Sequence, residues 1–186
     1  MLITLQDIYT AAARIRSYIH RTPVLTNQSL NDVVGTQVFL KCENLQKVGA
    51  FKFRGACNAV FSLSDEEAKC GVATHSSGNH AQALALAARL RGIQAHIVMP
   101  ENAPSVKKVA VAAYGGQITF CEPTLEAREF TLAQVVEKTG ASVVHPYNDV
   151  RVIAGQGTAA LELLEDVPDL DVVLAPVGGG GLLSGT

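Results

Sequence analysis

The 186-residue chain has little of what would mark a specialised class. Its net charge is only -2, with no basic stripe, so nucleic acid is not an expected partner. No apolar run reaches membrane-spanning length, so no membrane role is expected. The start, Met1 to Asp7, lacks a basic leader and a cleavage pattern, and the expected compartment is the cytoplasm. Cys42, Cys57, Cys70 and Cys121 match no zinc or CxxC spacing and read as reduced, mostly structural thiols. His20, His75, His80, His96 and His145 are scattered without metal spacing and read as ordinary residues; no metal site is expected among these residues. There is no internal repeat, no P-loop and no GxGxxG fingerprint, which counts against a dinucleotide-dependent oxidoreductase.

What is present is a globular composition, 48% hydrophobic and 17% charged, with a regular alternation of elements. A helix is expected from Leu5 to Ile19, with Thr4 as N-cap and Asp7 three residues on. Val38–Cys42 reads as a strand, and the turn around Gly49–Gly55 leads into a helix through Leu63. Strands are then expected at Val72–His75, Ile93–Met99, Gln117–Cys121, Ala141–His145 and Val172–Val177. Helices fall between them at Gly78–Arg91, Pro104–Tyr114, Leu125–Thr139 and Val152–Glu165. This alternation implies parallel βαβ units, an α/β fold with helices on both sheet faces. Runs such as Ile97-Val98-Met99 and Val172-Val173-Leu174 suit strands covered on both sides.

Ligands in such sheets sit at the carboxyl ends of strands, which selects two loops. One is Gly178-Gly179-Gly180-Gly181, whose backbone N–H groups are free to converge on an anion. Four glycines there favour a phosphate cradle over a merely flexible turn. The other is Ser76-Ser77-Gly78-Asn79-His80, where uncapped N–H groups and hydroxyls suit a carboxylate, compatibly with capping by Ser76 or Ser77. Lys52 lies between Phe51 and Phe53. An amine in an apolar pocket has a lowered pKa and becomes a nucleophile toward an aldehyde; the alternative is a lysine snorkelling from a helix start.

Together these motifs resemble one family. They are Lys41-Cys42-Glu43-Asn44-Leu45-Gln46, Gly49 to Ala56, Ser76 to Gln82, Ala154-Gly155-Gln156-Gly157-Thr158, and Val177 with the tetraglycine. The chain is similar, from about Leu5 onward, to the fold type II (tryptophan synthase β-like) pyridoxal-phosphate enzymes: serine and threonine dehydratases, serine racemases and hydroxyaspartate dehydratases. The resemblance implies that Lys52 carries the cofactor, Phe51 packs beside its ring and Asn79 bonds its ring oxygen. It places Gly178, Gly179, Gly180, Gly181 and Leu182 on the phosphate, and Ser76, Ser77, Gly78, Asn79 and His80 on the substrate carboxylate. His80 has no chemical role of its own in this reading. Lys52 and Ser77 are the expected catalytic residues, Ser77 as the opposite-face acid of a racemase.

The implied reaction is α,β-elimination from a small β-hydroxy amino acid, giving a 2-oxo acid and ammonia, with serine racemase or hydroxyaspartate dehydratase as alternatives. Family members are nearly twice this length. The resemblance therefore implies portions of a large domain at 1–50 and 149–186, a small α/β domain at 51–148, and an absent C-terminal half. That half would supply the partner of the pyridine nitrogen and a divalent metal near the phosphate. A homodimer is the implied assembly. Tyr147 stands where some animal-type racemases have asparagine. A helix is expected directly after the tetraglycine, so the sequence reads as cut, and an inactive truncated paralogue is the non-enzymatic alternative.

Overall fold

The computed structural model describes residues 3–186. Helix α1 (Leu5–Ile15) opens with a capping box: Thr4 accepts from the Asp7 N–H, and Asp7 accepts from the Thr4 N–H at 2.8 Å. It ends four residues earlier than expected. A short antiparallel pair follows, β1 (Val24–Thr26) against β2 (Phe39–Lys41), with α2 (Gln28–Val34) in the connection. Neither β1 nor α2 was legible in the sequence. Both are short and partly or wholly exposed, and no apolar period marks them.

The remaining elements are α3 (Lys52–Phe61), α4 (Asp65–Lys69), β3 (Val72–His75), α5 (Asn79–Arg91), β4 (Ala95–Pro100), α6 (Ser105–Ala113), β5 (Gln117–Cys121), α7 (Leu125–Thr139), β6 (Ser142–Val143), α8 (Val150–Asp166) and α9 (Gly181–Gly185). Strands β3 to β6 form one parallel sheet in the order β5-β4-β3-β6. Strand β4 is central, and Ile97, Val98 and Met99 are fully buried. Alternate side chains leave its two faces. Ile97 and Met99 join α3, α5 and α6, whereas Val98 joins Ala73 and Leu132 beneath α7. Helices therefore cover both faces, as the alternation predicts. Left-handed glycines close α5 at Gly92 and α7 at Gly140. All four cysteines are free thiols, and burial pushes the Cys57 thiol up to about 12. No helix among the described residues is long and apolar enough to cross a membrane.

Two expectations need correction. β6 is two residues long instead of five, because only Ser142 and Val143 pair with β3. Val172–Val177 is not a strand. A parallel strand needs a hydrogen-bonding neighbour, and this segment has none among the described residues. Its apolar side chains are left in solvent, with Leu174 91% exposed.

Helices α3 and α8 cross at backbone contact. A methyl at Gly155 would lie 2.6 Å from both the Arg54 carbonyl oxygen and the Gly55 Cα. One at Gly55 would lie 2.7 Å from the Val152 carbonyl. Gly157 meets Gly185 of α9 in the same way, its added methyl 2.6 Å from the Gly185 carbonyl oxygen. These contacts explain the Gly155-x-Gly157 spacing physically: it lets α8 hold the helix that carries Lys52 and the helix that follows the tetraglycine.

Candidate active site

At the carboxyl edge of the parallel sheet, Lys52, His80 and the glycine loop meet a strip, Val144 to Tyr147, to which the sequence assigned no site role. Lys52, the first residue of α3, is half-buried. Its Nζ donates to the Pro146 carbonyl at 2.7 Å and lies 5.3 Å from the centre of the Phe51 ring. Burial holds its pKa below the ordinary lysine value. No carboxylate forms a salt bridge with it among the described residues.

His80, in the first turn of α5, is buried and meets the same strip two residues earlier. Its Nε2 lies 3.0 Å from the Val144 carbonyl oxygen, which can only accept, so Nε2 carries the proton. Nδ1 is buried and has no partner among the described residues. Desolvation drives the imidazole pKa down to about 4. His80 is thus a neutral strut between the Ser76–His80 loop and the strip. A depressed histidine pKa stabilises the fold fully above the unfolded value of 6.5, and that stability is lost as pH falls through about 4. The full loss is about 3 kcal/mol. Urea unfolding between pH 7 and pH 4.5 should show this loss in the native chain and a flatter profile in His80→Gln; parallel profiles would remove His80 as the cause.

Tyr147 carries the strip to the glycine loop. A methyl on Gly179 would fall inside the Tyr147 ring, and one on Gly181 would lie 3.0 Å from the Tyr147 backbone. Gly180 is left-handed, at φ 86°. Two of the four glycines are therefore demanded by a protein contact and a third by the backbone turn. His145 shapes the strip, with Nδ1 accepting from the Asn148 N–H at 2.9 Å and its ring edge-on to Tyr147 at 4.5 Å. The sequence reading missed Val144 and Pro146 because they act through backbone carbonyls, which carry no side-chain signal.

The serine loop differs from expectation in one respect. Gly78, not a serine, is the N-cap of α5, and no side chain caps the helix. Ser76 Oγ accepts from the Gly78 N–H at 3.3 Å, and the Ser77 hydroxyl has no partner among the described residues. The first-turn N–H groups stay open to a ligand. Asn79 is exposed at the start of α5, and no hydrogen bond ties it to Lys52 among the described residues. Phe51 and Leu182 line one apolar cavity of 280 Å³ beside α8.

Residues 15–186 match the model of the family described as pyridoxal-phosphate dependent enzyme. The chain belongs to that family. It is 55% identical over 184 residues to a serine racemase of Dictyostelium discoideum, covering 99% of this chain and 57% of that protein. It is 58% identical to a β-hydroxyaspartate dehydratase of Paracoccus denitrificans, covering 98% and 58%. The solved maize serine racemase superposes with a TM-score of 0.98 at 52% identity, covering all of this chain and 56% of that one. The chain thus spans a little over half the length of these relatives.

The residues present fit the family's cofactor. Lys52 offers an amine that burial biases toward its neutral, nucleophilic form. None of the N–H groups from Gly178 to Leu182 finds an acceptor among the described residues, so they remain available to a phosphate.

Proposed function

We propose that the protein is a pyridoxal-phosphate-dependent lyase that eliminates water from small β-hydroxy amino acids, yielding a 2-oxo acid and ammonia. The observation that carries this reading is the Lys52 amine, half-buried, paired with no carboxylate among the described residues, and held on the Pro146 carbonyl next to the tyrosine that braces the glycine loop. When bound, pyridoxal phosphate supplies the electron sink for the carbanion left by loss of the Cα proton. The chain's own residues do the rest. Lys52 would hold the cofactor, and its amine would take the substrate's Cα proton. The N–H groups of Ser77, Asn79 and His80, which find no acceptor among the described residues, would hold the substrate carboxylate. Asn79 orients the cofactor ring, Phe51 packs beside it, and the backbone of Gly178–Leu182 holds its phosphate.

A racemase reading has one observation in its favour: the Ser77 hydroxyl has no hydrogen-bond partner among the described residues, and in that reading it would return a proton on the face opposite Lys52. Serine racemisation and elimination can share this site, and hydroxyaspartate is a further substrate of the same class. Residues 51–148 serve as the small domain in this reading, consistent with the parallel sheet falling between Val72 and Val143. The working form is taken to be a cytoplasmic homodimer, on the family resemblance.

The test is borohydride reduction with pyridoxal phosphate, peptide mapping, and assays on L-serine, L-threonine and hydroxyaspartate. An adduct on Lys52 with ammonia release supports the lyase; cofactor binding without turnover of any of the three points to an inactive paralogue. Ser77→Ala should abolish D-serine formation and spare ammonia release. Equal loss of both activities would reduce Ser77 to a carboxylate ligand.

A further inference from the structure

The helix that carries Lys52 begins without the usual means of fixing a helix start. Its N-cap is Phe51, which makes no side-chain cap bond. The chain enters it through two consecutive left-handed residues, Val48 at φ 59° and Gly49 at φ 68°. Val48 is the sole non-glycine with positive φ among the described residues, and it is β-branched, where that conformation is strained. Something else must hold the first turn in register.

Arg54, two residues after Lys52, is fully buried. Its guanidinium grips two carboxylates in forked pairs. Nε and Nη2 donate to the two oxygens of Glu43 at 2.8 Å each. Nη1 and Nη2 donate to the two oxygens of Glu162 at 2.7 and 2.8 Å. Thr158 and Thr22 accept further bonds at 3.3 and 3.4 Å. Lys41 closes the cluster, 2.8 Å from Glu162 and bonded to the Thr22 carbonyl at 2.7 Å. These charged groups come from three separate segments: Lys41–Glu43, the start of α3, and α8, whose Asp166 also lies 3.5 Å from Lys41. Buried ion clusters of this kind add little net stability over apolar packing, but removing one member is costly. Their geometric demand is high, because a forked guanidinium accepts only planar, paired partners.

We propose that Arg54 is a positioning residue: it locks the first turn of α3 between Glu43 and Glu162 and thereby holds the Lys52 amine on the Pro146 carbonyl. The role rests on the Lys52 reading above. The titratable groups that face the amine are His80 from α5 and His145 from the strip, and burial lowers the pKa of each, favouring the neutral ring. The environment of the amine therefore reports its placement.

The experiment compares Arg54→Lys, Arg54→Met and Glu43→Gln with the native chain and with Val111→Ala, a core change away from this cluster. Lys52 reactivity is read by competitive acetylation with acetic anhydride across pH, with mass mapping of its peptide, alongside thermal unfolding. Trapping by pyridoxal phosphate and borohydride is timed separately. In the Arg54 and Glu43 variants the Lys52 titration midpoint should move up to that of a solvated lysine, and trapping should slow about tenfold or more. Val111→Ala should lose stability and leave both readouts unchanged. Folded Arg54→Lys and Glu43→Gln chains with the native Lys52 midpoint would overturn the proposal. If Arg54→Met fails to fold, the isosteric Glu43→Gln decides. Acetylation needs no cofactor, so a native chain that fails to trap pyridoxal phosphate would defeat the proposed function while leaving the clamp tested.

Discussion

Lys52→Ala is expected to abolish the borohydride-stable attachment of pyridoxal phosphate completely. The effect is all-or-none because the attachment needs an amine at one place. The structure offers Lys52 Nζ there, half-buried with a single carbonyl partner at 2.7 Å. Its pKa is lowered by burial, so the neutral form that attacks an aldehyde is populated more than in a solvated lysine. The Ala variant should keep its fold, since Lys52 makes one hydrogen bond and no ion pair in the described structure. It should also retain weak, dialysable cofactor affinity through the N–H groups of the glycine loop. Peptide mapping of the reduced protein reads the outcome. Cofactor fixed to any other lysine of the native chain would remove Lys52 from its proposed role.

Gly155→Ala should lower stability more than most single methyl additions. The new Cβ would meet main-chain atoms at 2.6 Å, the Arg54 carbonyl oxygen and the Gly55 Cα, and Asn58 Cβ at 2.9 Å. Backbone cannot swing away as a flexible side chain can, so α3 and α8 must part. Overpacking of this kind costs about 1–3 kcal/mol, or roughly 3–10 °C in Tm for a chain of this size. The separation would also pull Arg54 from Glu162, which couples the stability loss to the placement of Lys52. Differential scanning calorimetry gives the first effect, and the rate of cofactor trapping gives the second. A Gly155→Ala chain melting within about a degree of the native one would show that the helices do not rely on backbone contact.

The parallel sheet and its helices were legible because each element carries a local signal. Ile97-Val98-Met99 reads as a buried strand and is one. Thr4 with Asp7 reads as a cap and is one. Gly92 and Gly140 directly follow the expected helices Gly78–Arg91 and Leu125–Thr139, and both adopt the left-handed conformation that ends a helix. Val172-Val173-Leu174 carries the same apolar signal as Ile97-Val98-Met99, yet it is irregular and exposed. Composition makes a segment able to be a strand; only a neighbour's N–H and C=O groups make it one.

The candidate site divides along the same line. By itself the sequence determined its chemical groups: an amine flanked by aromatics at Lys52, a loop of hydroxyls and N–H groups at Ser76–His80, and side-chain-free backbone at Gly178–Gly181. It also pointed to the family, through motifs spread along most of the chain. Only the tertiary structure decided how these groups meet. Pro146 receives Lys52, Val144 receives His80 and Tyr147 fills the space above Gly179, so that three segments distant in sequence converge on one short strip. Two of those contacts run to main-chain carbonyls, a group that every residue possesses and that therefore leaves no trace in the sequence. The same holds for Arg54, which reads as an ordinary basic residue until the fold buries it and brings around it its carboxylate partners, 11 and 108 positions away. A residue's type states which bonds it can make, and the fold alone sets which partners are within 3 Å and shielded enough for those bonds to matter.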